Sequence, residues 1–266
     1  MIAISDNIQL RKDAPSGSII INRPNRRNAL SREIIDSIRQ ALEDFYQERN
    51  VRAIILTGAG NTFCSGTDLE ELRDSTLESN AMEIWQEDAS RLQDLIEYML
   101  RYPKPIIAAI NGWAIGSGVA LMLAADVVIA SESAQLQMPE SKLGLNAGLT
   151  APLLAFRAGT ALAADLLITG RALTAVRGLE TGLFHEMVND DLVWARAQEL
   201  AIDCAQGAAH SHLLSKQMLN ETVGEQLFMQ LSIGSANMAS ARTTEAAIEG
   251  INAFLEKRRP EWAQPG

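Results

Sequence analysis

Two short segments of the chain contain glycines at points where backbone N–H groups would be free to bind an oxygen atom. Residues 64–68 (CSGTD) and 116–118 (GSG) each follow an apolar run and precede a stretch of helical composition. N–H groups at such turns have no partner within the following helix and can bind a negatively charged oxygen. Two of them converging on one carbonyl would form an oxyanion hole, although either turn alone is also explained as an ordinary tight turn.

A third segment supplies a carboxylate. Glu140 follows Pro139 and lies among the apolar residues Leu136, Met138 and Leu143. Partial burial raises the pKa of a carboxylate toward a value that is useful for proton transfer. The simpler interpretation is a surface glutamate at the end of a strand, and the residues alone leave both interpretations open.

Other kinds of chemistry are not supported by the residue pattern. No cysteine or carboxylate cluster at ligand spacing accompanies the three histidines, so no metal site is predicted. The glycines at 58 and 60 lack the third glycine of a dinucleotide-binding fingerprint, and no glycine loop is followed by a phosphate-binding lysine. Ser117 does not match a nucleophile elbow, because Ile115 and Val119 occupy the positions where that motif requires glycine.

The elements that must position these residues can be read from the apolar pattern. Residues 106–130 contain a single charged side chain, Asp126, and are numerous enough to span a bilayer. Asn111, Gly112 and the turn at 116–118 interrupt this run. The pattern therefore predicts a strand, a turn, a buried helix and a second strand, rather than a membrane span.

A strand–helix–strand unit is predicted before this run. Residues 18–22 (SIIIN) and 51–58 (VRAIILTG) are β-branched and apolar, as buried strands are. Between them Ser31 can cap a helix whose apolar residues fall on one face. Residues 70–100 have helical composition, and from residue 151 the pattern is mostly helical. We therefore predict a core over residues 1–190 and a helical C-terminal region over residues 191–266.

Composition narrows the class of protein. The chain has 266 residues, of which 47% are hydrophobic and 21% charged, as in a globular protein. A net charge of −10 argues against a nucleic-acid partner, which would require a basic surface. Cys64 and Cys204 make no disulfide framework, and the N-terminal segment lacks the apolar core of a signal peptide, so a cytoplasmic location without a membrane partner is expected.

Five segments, taken together in chain order, resemble the crotonase superfamily, also called the enoyl-CoA hydratase/isomerase superfamily. They are residues 22–30 (NRPNRRNAL), 53–69 (AIILTGAGNTFCSGTDL), 104–121 (KPIIAAINGWAIGSGVAL), 124–145 (AADVVIASESAQLQMPESKLGL) and 249–262 (EGINAFLEKRRPEW). The resemblance implies an α/β fold, with a crotonase-like spiral of ββα units followed by a helical C-terminal trimerisation region. It also implies a homotrimer or a hexamer built as a dimer of trimers.

The resemblance further implies an acyl-CoA substrate, with coenzyme A as part of the thioester and no permanently bound cofactor. The family holds the thioester carbonyl with two backbone N–H groups, and the matching positions here are Thr67 and Ser117. These N–H groups would stabilise an enolate-like anion. The residues expected to contact the substrate and its CoA are Arg26, Arg27, Ser65, Thr67, Asp68, Leu69, Ser117 and Lys257.

The sequence departs from the family's hydratases at one catalytic position. Those enzymes use two glutamates, but the first position is Ala120 here and only the second, Glu140, is retained. Alanine cannot transfer a proton, whereas shifting a double bond needs a single base. The resemblance therefore favours an enoyl-CoA isomerase with Glu140 as acid and base. The alternatives are an enoyl-CoA hydratase, another one-base lyase or decarboxylase, and a catalytically idle acyl-CoA-binding protein.

The sequence also departs at the lysines that the family places near the CoA phosphates. The matching positions are Asn25 and Glu70, and neither is basic. Arg26 and Arg27 are neighbouring cations that could replace these lysines, because a guanidinium group pairs well with phosphate. Lys257 matches the family's C-terminal CoA-binding lysine, but it is also explained as a solvated lysine near the end of a helix.

Overall fold

Within residues 2–264, which the computed structural model describes, the chain forms eleven β-strands and eleven α-helices. The strands are β1 (Ile2–Ser5), β2 (Ile8–Asp13), β3 (Ser16–Ile21), β4 (Ala53–Gly58), β5 (Thr62–Cys64), β6 (Ile106–Ile110), β7 (Trp113–Ile115), β8 (Val127–Ser131), β9 (Gln135–Gln137), β10 (Ala172–Thr174) and β11 (Glu186–Val188). The helices are α1 (Arg32–Gln47), α2 (Leu69–Asp74), α3 (Ala81–Arg101), α4 (Ser117–Leu123), α5 (Thr150–Ala158), α6 (Thr160–Thr169), α7 (Ala175–Glu180), α8 (Val193–Gln206), α9 (Ala209–Gln217), α10 (Glu225–Ala241) and α11 (Glu245–Leu255).

The strands form two sheets, and successive strand pairs along the chain contribute to both of them. The larger sheet has the order β1-β2-β3-β4-β6-β8-β11, and the smaller sheet has the order β10-β9-β7-β5. Each of the pairs β4–β5, β6–β7 and β8–β9 gives its first strand to the larger sheet and its second strand to the smaller one. In both sheets the strands from successive units pair in parallel. This arrangement confirms the predicted spiral of ββα units.

The apolar run at residues 106–130 lies at the centre of this spiral. It contains β6, whose five residues are all buried, then β7, the buried helix α4 and β8. The prediction that the run is broken is confirmed, but it omitted β7, which occupies part of the predicted turn. No helix in the described part of the chain is both long enough and apolar enough to cross a membrane.

Helix α1 begins where the sequence predicts. The hydroxyl of Ser31 accepts a hydrogen bond of 3.3 Å from the N–H of Ile34, which is the expected N-cap interaction. The six apolar residues predicted to share one helical face are all buried, namely Ile34, Ile35, Ile38, Ala41, Leu42 and Phe45.

The stretch of helical composition at residues 70–100 divides into α2, a 3-10 turn and α3. Ser75 lies at this break. Its hydroxyl donates to the carbonyl of Leu72 at 2.7 Å and accepts from the indole N–H of Trp85 at 2.9 Å. Serine side chains that bond to nearby backbone compete with continued helix. After this break α3 packs against α1.

The C-terminal helices pack on the rest of the chain. In α8, Val193, Ala197 and Ala201 are buried against the larger sheet, together with residues such as Ile55 and Ile107. Helix α10 packs along α3 and α5, and α11 packs on α2 and on the turn after β9. The division at residue 190 stays a prediction. Helix α8, which follows it, buries its apolar face in the same body as the strands.

Candidate active site

Three neighbouring parallel strands end at the same place in the smaller sheet. The order of these strands is β9-β7-β5, and a turn follows each one. Because the carboxyl ends of parallel strands lie at one edge of a sheet, these turns are neighbours. Thr67 follows β5, Ser117 follows β7 and Glu140 follows β9. The strands themselves therefore bring together the three residues that the sequence predicts to be catalytic.

The turn after β5 is fixed by Asp68. The Asp68 carboxylate caps α2 by accepting hydrogen bonds from the N–H groups of Glu70 at 3.0 Å and Glu71 at 3.4 Å. It also forms an ion pair with the guanidinium group of Arg23. Asp68, a predicted substrate-contact residue, is thus buried and occupied by partners inside the chain. Arg23, which the sequence analysis missed, holds this turn in place.

The backbone of Thr67 is oriented by a bridge to Leu30. The Leu30 N–H donates to the carbonyl of Gly66 at 2.8 Å, and the Asp68 N–H donates to the carbonyl of Leu30 at 3.0 Å. In extended backbone, successive N–H groups point to opposite sides, so the Thr67 N–H faces away from Leu30. It has no acceptor among the described residues. It is therefore free for a ligand oxygen, as predicted.

The turn after β7 holds a second free N–H group, that of Ser117. Ser117 is the first residue of α4, where an N–H has no intrahelical acceptor. The turn is anchored through Gly116, whose N–H donates to the carbonyl of Gln137 at 2.9 Å and whose carbonyl accepts from the hydroxyl of Thr150 at 3.2 Å. Within the described residues no backbone acceptor is recorded for the Ser117 N–H.

The two turns are in direct contact. Gly66 has a φ of +84°, and a Cβ placed on it would lie 2.7 Å from the carbonyl oxygen of Ile115 and 3.1 Å from the nitrogen of Ser117. The hydroxyl oxygens of Thr67 and Ser117 are 2.9 Å apart, which is a hydrogen bond. The structure thus brings the two predicted N–H donors to one place, and only glycine at position 66 permits this approach.

Glu140 lies beside these turns, in a 3-10 turn (Glu140–Leu143) that follows β9. Its Oε1 atom is 2.9 Å from the position that a Cβ on Gly116 would take. Its Oε2 atom is buried and has no hydrogen-bond partner in the described part of the chain. Burial raises the pKa of Glu140 to about 7. Glu140 is therefore not the surface glutamate of the simpler interpretation.

Position 120 lies on α4, one turn beyond Ser117. Ala120 is fully buried in the main hydrophobic core, together with Val119 and Leu121. Its methyl group can neither accept nor donate a proton. A proton acceptor at this site is therefore supplied by Glu140, whose carboxylate lies against Gly116, and not by position 120.

The residues predicted to bind the CoA phosphates form a cluster at the outer side of the first turn. Arg26 is exposed and makes an ion pair with Glu70. Arg27 is exposed too, and its carbonyl accepts from the N–H of Ser65 at 3.0 Å. Leu69 begins α2 and is half-buried. The structure therefore gathers Arg26, Arg27, Ser65 and Glu70 on one side of the turn that carries Thr67.

Lys257 belongs to a different element. It lies two residues beyond the end of α11, is exposed and has a φ of +57°. Helix α11 itself packs on the turn that contains Glu140, where Gly250 contacts the backbone of Leu143.

The histidines lie outside any cluster of metal-ligand type among the described residues. Between residues 2 and 264, no group of three histidine, cysteine or acidic side chains could hold a metal ion. Two of the histidines have local partners: Nδ1 of His185 accepts from the N–H of Val128, and Nε2 of His212 contacts the carbonyl of Cys204.

Comparison with known proteins gives matches over nearly the whole chain. Residues 14–265 match the family model described as enoyl-CoA hydratase/isomerase. A protein of Thermus thermophilus that is provisionally named an enoyl-CoA hydratase is 37% identical over 244 residues, covering 92% of this chain and 96% of that protein. The 1,2-epoxyphenylacetyl-CoA isomerase of Escherichia coli is 32% identical over 246 residues, covering 92% and 94% of the two chains.

A solved structure agrees with these sequence matches. The crystal structure of an enoyl-CoA hydratase from Mycobacterium avium superposes with a TM-score of 0.85 at 26% identity, covering 98% of this chain and 100% of that one. The relatives named here thus include both a hydratase and an isomerase.

Proposed function

This chain belongs to the enoyl-CoA hydratase/isomerase family, and we propose that within it the protein is an isomerase that shifts a double bond of an enoyl-CoA thioester. The observation that carries this proposal is the carboxylate of Glu140, which lies against Gly116 beside the turns of Thr67 and Ser117 and, unlike the buried carboxylate of Asp68, has an oxygen without a partner among the described residues. A buried alanine occupies position 120, so a second carboxylate is absent where hydration would use one.

The proposed reaction moves one proton and needs no other reactant. The carboxylate of Glu140 removes a proton from C2 of a 3-enoyl thioester, and the electron pair delocalises onto the thioester oxygen. The N–H groups of Thr67 and Ser117 hold this dienolate oxygen. Protonated Glu140 then returns the proton to C4, which gives the 2-enoyl thioester. A pKa of about 7 suits both steps, because Glu140 can take and release the proton at neutral pH.

The test of this function is a product assay with a 3-enoyl-CoA and a 2-enoyl-CoA. An isomerase interconverts the two, whereas a hydratase converts only the 2-enoyl-CoA into a 3-hydroxyacyl-CoA. Absence of double-bond migration would reject the isomerase proposal. Titration calorimetry with the same thioesters separates an idle acyl-CoA-binding protein, which binds without turnover, from a protein with no affinity for CoA thioesters.

Hydration is the second candidate, because the name of the 37% identical Thermus thermophilus relative gives that activity. A hydratase with this site would have to activate water with Glu140 alone. We expect any such activity to be slower than the double-bond shift, since one carboxylate would have to both orient and deprotonate the water. The product assay compares the two rates directly.

The rate should fall as the solution becomes more acidic. Burial raises the pKa of Glu140 to about 7, so half of the enzyme carries the protonated, inactive base at that pH. Below it, kcat/KM should drop roughly 10-fold for each pH unit, because only the ionised form removes a proton. Initial rates between pH 5.5 and 8.5 measure this profile. A flat profile down to pH 5 would contradict the assignment of Glu140 as the base.

We further propose that Arg26 binds a CoA phosphate and that Glu70 competes for it. The two side chains form an exposed ion pair at the outer side of the site. Replacing Glu70 by Gln should free Arg26 and lower the KM for the thioester roughly 2- to 5-fold at low salt, with kcat unchanged. The gain should shrink at high salt because exposed charges are screened.

Glu43→Gln is the matched control for this change. It breaks another exposed pair, with Arg39 on α1, at a position not assigned to ligand binding, and should leave KM unchanged. If Glu70→Gln raises KM or leaves it unchanged at low salt, then Arg26 does not bind the phosphate.

We propose that the protein assembles as a homotrimer or a dimer of trimers. Six large apolar side chains are exposed on α9, on α10 and on the segment between them, namely Leu214, Met218, Leu219, Val223, Met229 and Ile233. An exposed apolar surface of this kind commonly marks a protein interface. Light scattering on the purified protein should give three or six times the mass of one chain, and a monomer mass would reject the proposal.

A cytoplasmic location is also part of the proposal. Cys64 is buried and Cys204 is half-buried, and neither forms a disulfide. Burial raises the pKa of the Cys64 thiol to about 12, so this thiol is unreactive. Two unpaired cysteines are typical of a reducing compartment.

A further inference from the structure

The hydroxyl groups of Thr67 and Ser117 form a pair at the site that no step above uses. Their oxygens are 2.9 Å apart, and either one can be the donor. Ser117 is buried, with 8% of its surface exposed, and its neighbour Gly116 borders the carboxylate of Glu140. The pair therefore connects the two residues that provide the free backbone N–H groups.

One of the two hydroxyl protons of the pair is not used in the bond between the two oxygens. Each hydroxyl has one proton and can also accept. The bond between the two oxygens uses one of these protons. No other side-chain hydrogen bond of Thr67 or Ser117 is recorded within residues 2–264, so the second proton has no acceptor there. The unpartnered Oε2 of Glu140 shows that the spare proton is not bonded to this carboxylate oxygen either.

The most favourable acceptor for this proton is the oxygen that the two N–H groups bind. Only three covalent bonds separate the hydroxyl oxygen of a serine or threonine from its own backbone nitrogen, so a single ligand oxygen can contact both groups of one residue. An enolate oxygen is negatively charged and can accept three hydrogen bonds. Hydrogen bonds to a charged acceptor are roughly twice as strong as those between neutral groups.

We propose that the Thr67–Ser117 hydroxyl pair supplies a third hydrogen-bond donor to the thioester oxyanion, beside the two backbone N–H groups. One hydroxyl donates to the other, and the second donates to the oxyanion. The first bond polarises the second, since hydrogen bonds in a chain strengthen one another. This inference rests on the proposed function only in requiring a CoA thioester at the site.

Acetoacetyl-CoA is a suitable probe, because its enolate absorbs in the near ultraviolet and its keto form does not. The measurement is the fraction of bound enolate at fixed pH in the wild type and in Ser117→Ala, Thr67→Val and Thr67→Ser. Removing the donor that contacts the oxyanion should lower the bound enolate-to-keto ratio roughly 10- to 100-fold. Removing the other hydroxyl should lower it only a few-fold, and Thr67→Ser should retain the wild-type ratio.

The matched control is Ser131→Ala. Ser131 is buried and forms a similar hydroxyl pair with Ser133, at 3.1 Å, outside the site. This variant should lose a comparable amount of thermal stability and keep the wild-type enolate ratio. A large loss in Ser117→Ala alone or in Thr67→Val alone supports the proposal and identifies the terminal donor.

Three results would overturn the proposal. The first is that both variants keep the ratio within 2-fold. The second is that both lose it equally, as expected if the bond only holds the turns together. The third is that the wild-type protein binds the probe in its keto form only. None of these measurements depends on double-bond migration. If the enolate measurement supports the third donor and the product assay shows no migration, only the isomerase proposal is rejected.

Discussion

Replacing Glu140 by Gln is expected to lower kcat for double-bond migration by about 10²- to 10⁴-fold, which is the range that general acid–base catalysis contributes. The amide matches the carboxylate in size but can neither remove a proton from C2 nor return one to C4. Binding of the thioester should stay within a few-fold of wild type, because the contacts proposed for its oxygen, with the N–H groups of Thr67 and Ser117, do not involve Glu140. Steady-state assays with a 3-enoyl-CoA and calorimetry with the same ligand measure the two effects.

The variant should not fold less well than the wild type. Burial raises the pKa of Glu140 to about 7. Between the ordinary glutamate pKa and this value, the native state therefore holds a proton that the unfolded chain has released. Wild-type stability is therefore lost as the pH rises from the ordinary glutamate pKa to about 7. At pH 8 the wild type contains a buried charge that the Gln variant lacks, and the variant should melt at the same temperature or higher.

Glu180→Gln serves as the activity control. Glu180 is exposed and forms an ion pair with Arg177, and neither residue is assigned to the site. Its kcat should equal that of the wild type. If Glu140→Gln retained more than a tenth of the wild-type rate, another group would have to be the base.

The second large effect is expected from Gly66→Ala. A Cβ at this position would lie 2.7 Å from the carbonyl oxygen of Ile115 and 3.1 Å from the nitrogen of Ser117. Both neighbours are backbone atoms that cannot rotate away, so the two turns must separate. Separation removes one N–H from the oxyanion, and the loss of one such donor lowers kcat by about 10²- to 10³-fold. Steady-state kinetics measure this loss.

Gly182→Ala separates this contact from backbone strain. Gly182 has a similar positive φ, +77° against +84° for Gly66, but a Cβ on it would meet no atom within 4 Å. Both variants place an L-residue in the left-handed region, which costs roughly 1 kcal/mol of stability, and only Gly66→Ala should lose activity. Equal kinetic loss in the two variants would show that the close approach of the turns is irrelevant to catalysis.

Much of the fold was predictable because its long elements have strong local signals. Helix α1 has a serine cap and a continuous apolar face, and β6 is a run of five apolar residues after Lys104-Pro105. The three-residue strands β5, β7, β9, β10 and β11 were not predicted. They are too short to show alternation, and they form only because neighbours distant in sequence pair with them.

The site was predictable in its parts rather than in its assembly. The glycine turns marked two segments, the family resemblance assigned Thr67 and Ser117 within them, and the structure places these two residues in contact. The burial of Glu140 depends on Gly116, 24 positions earlier, so no local pattern around Pro139 could reveal it. The hydroxyl pair was equally hidden, because each member is an ordinary turn residue until the two strands are placed side by side. The expected contact of Asp68 with the ligand stays a prediction, and no local pattern showed that its carboxylate caps α2.

The parallel pairing of β5 with β7 also determines which part of the chain is free to vary. The spacing between the two proposed oxyanion donors is set by adjacent strands, about 4.8 Å apart, and not by the segment that connects them. Within that segment, residues 77–80 between α2 and α3 are exposed and can lengthen, shorten or change without moving either strand. The chain can therefore diverge there, in evolution or by loop grafting, while the spacing of the two turns is inherited intact.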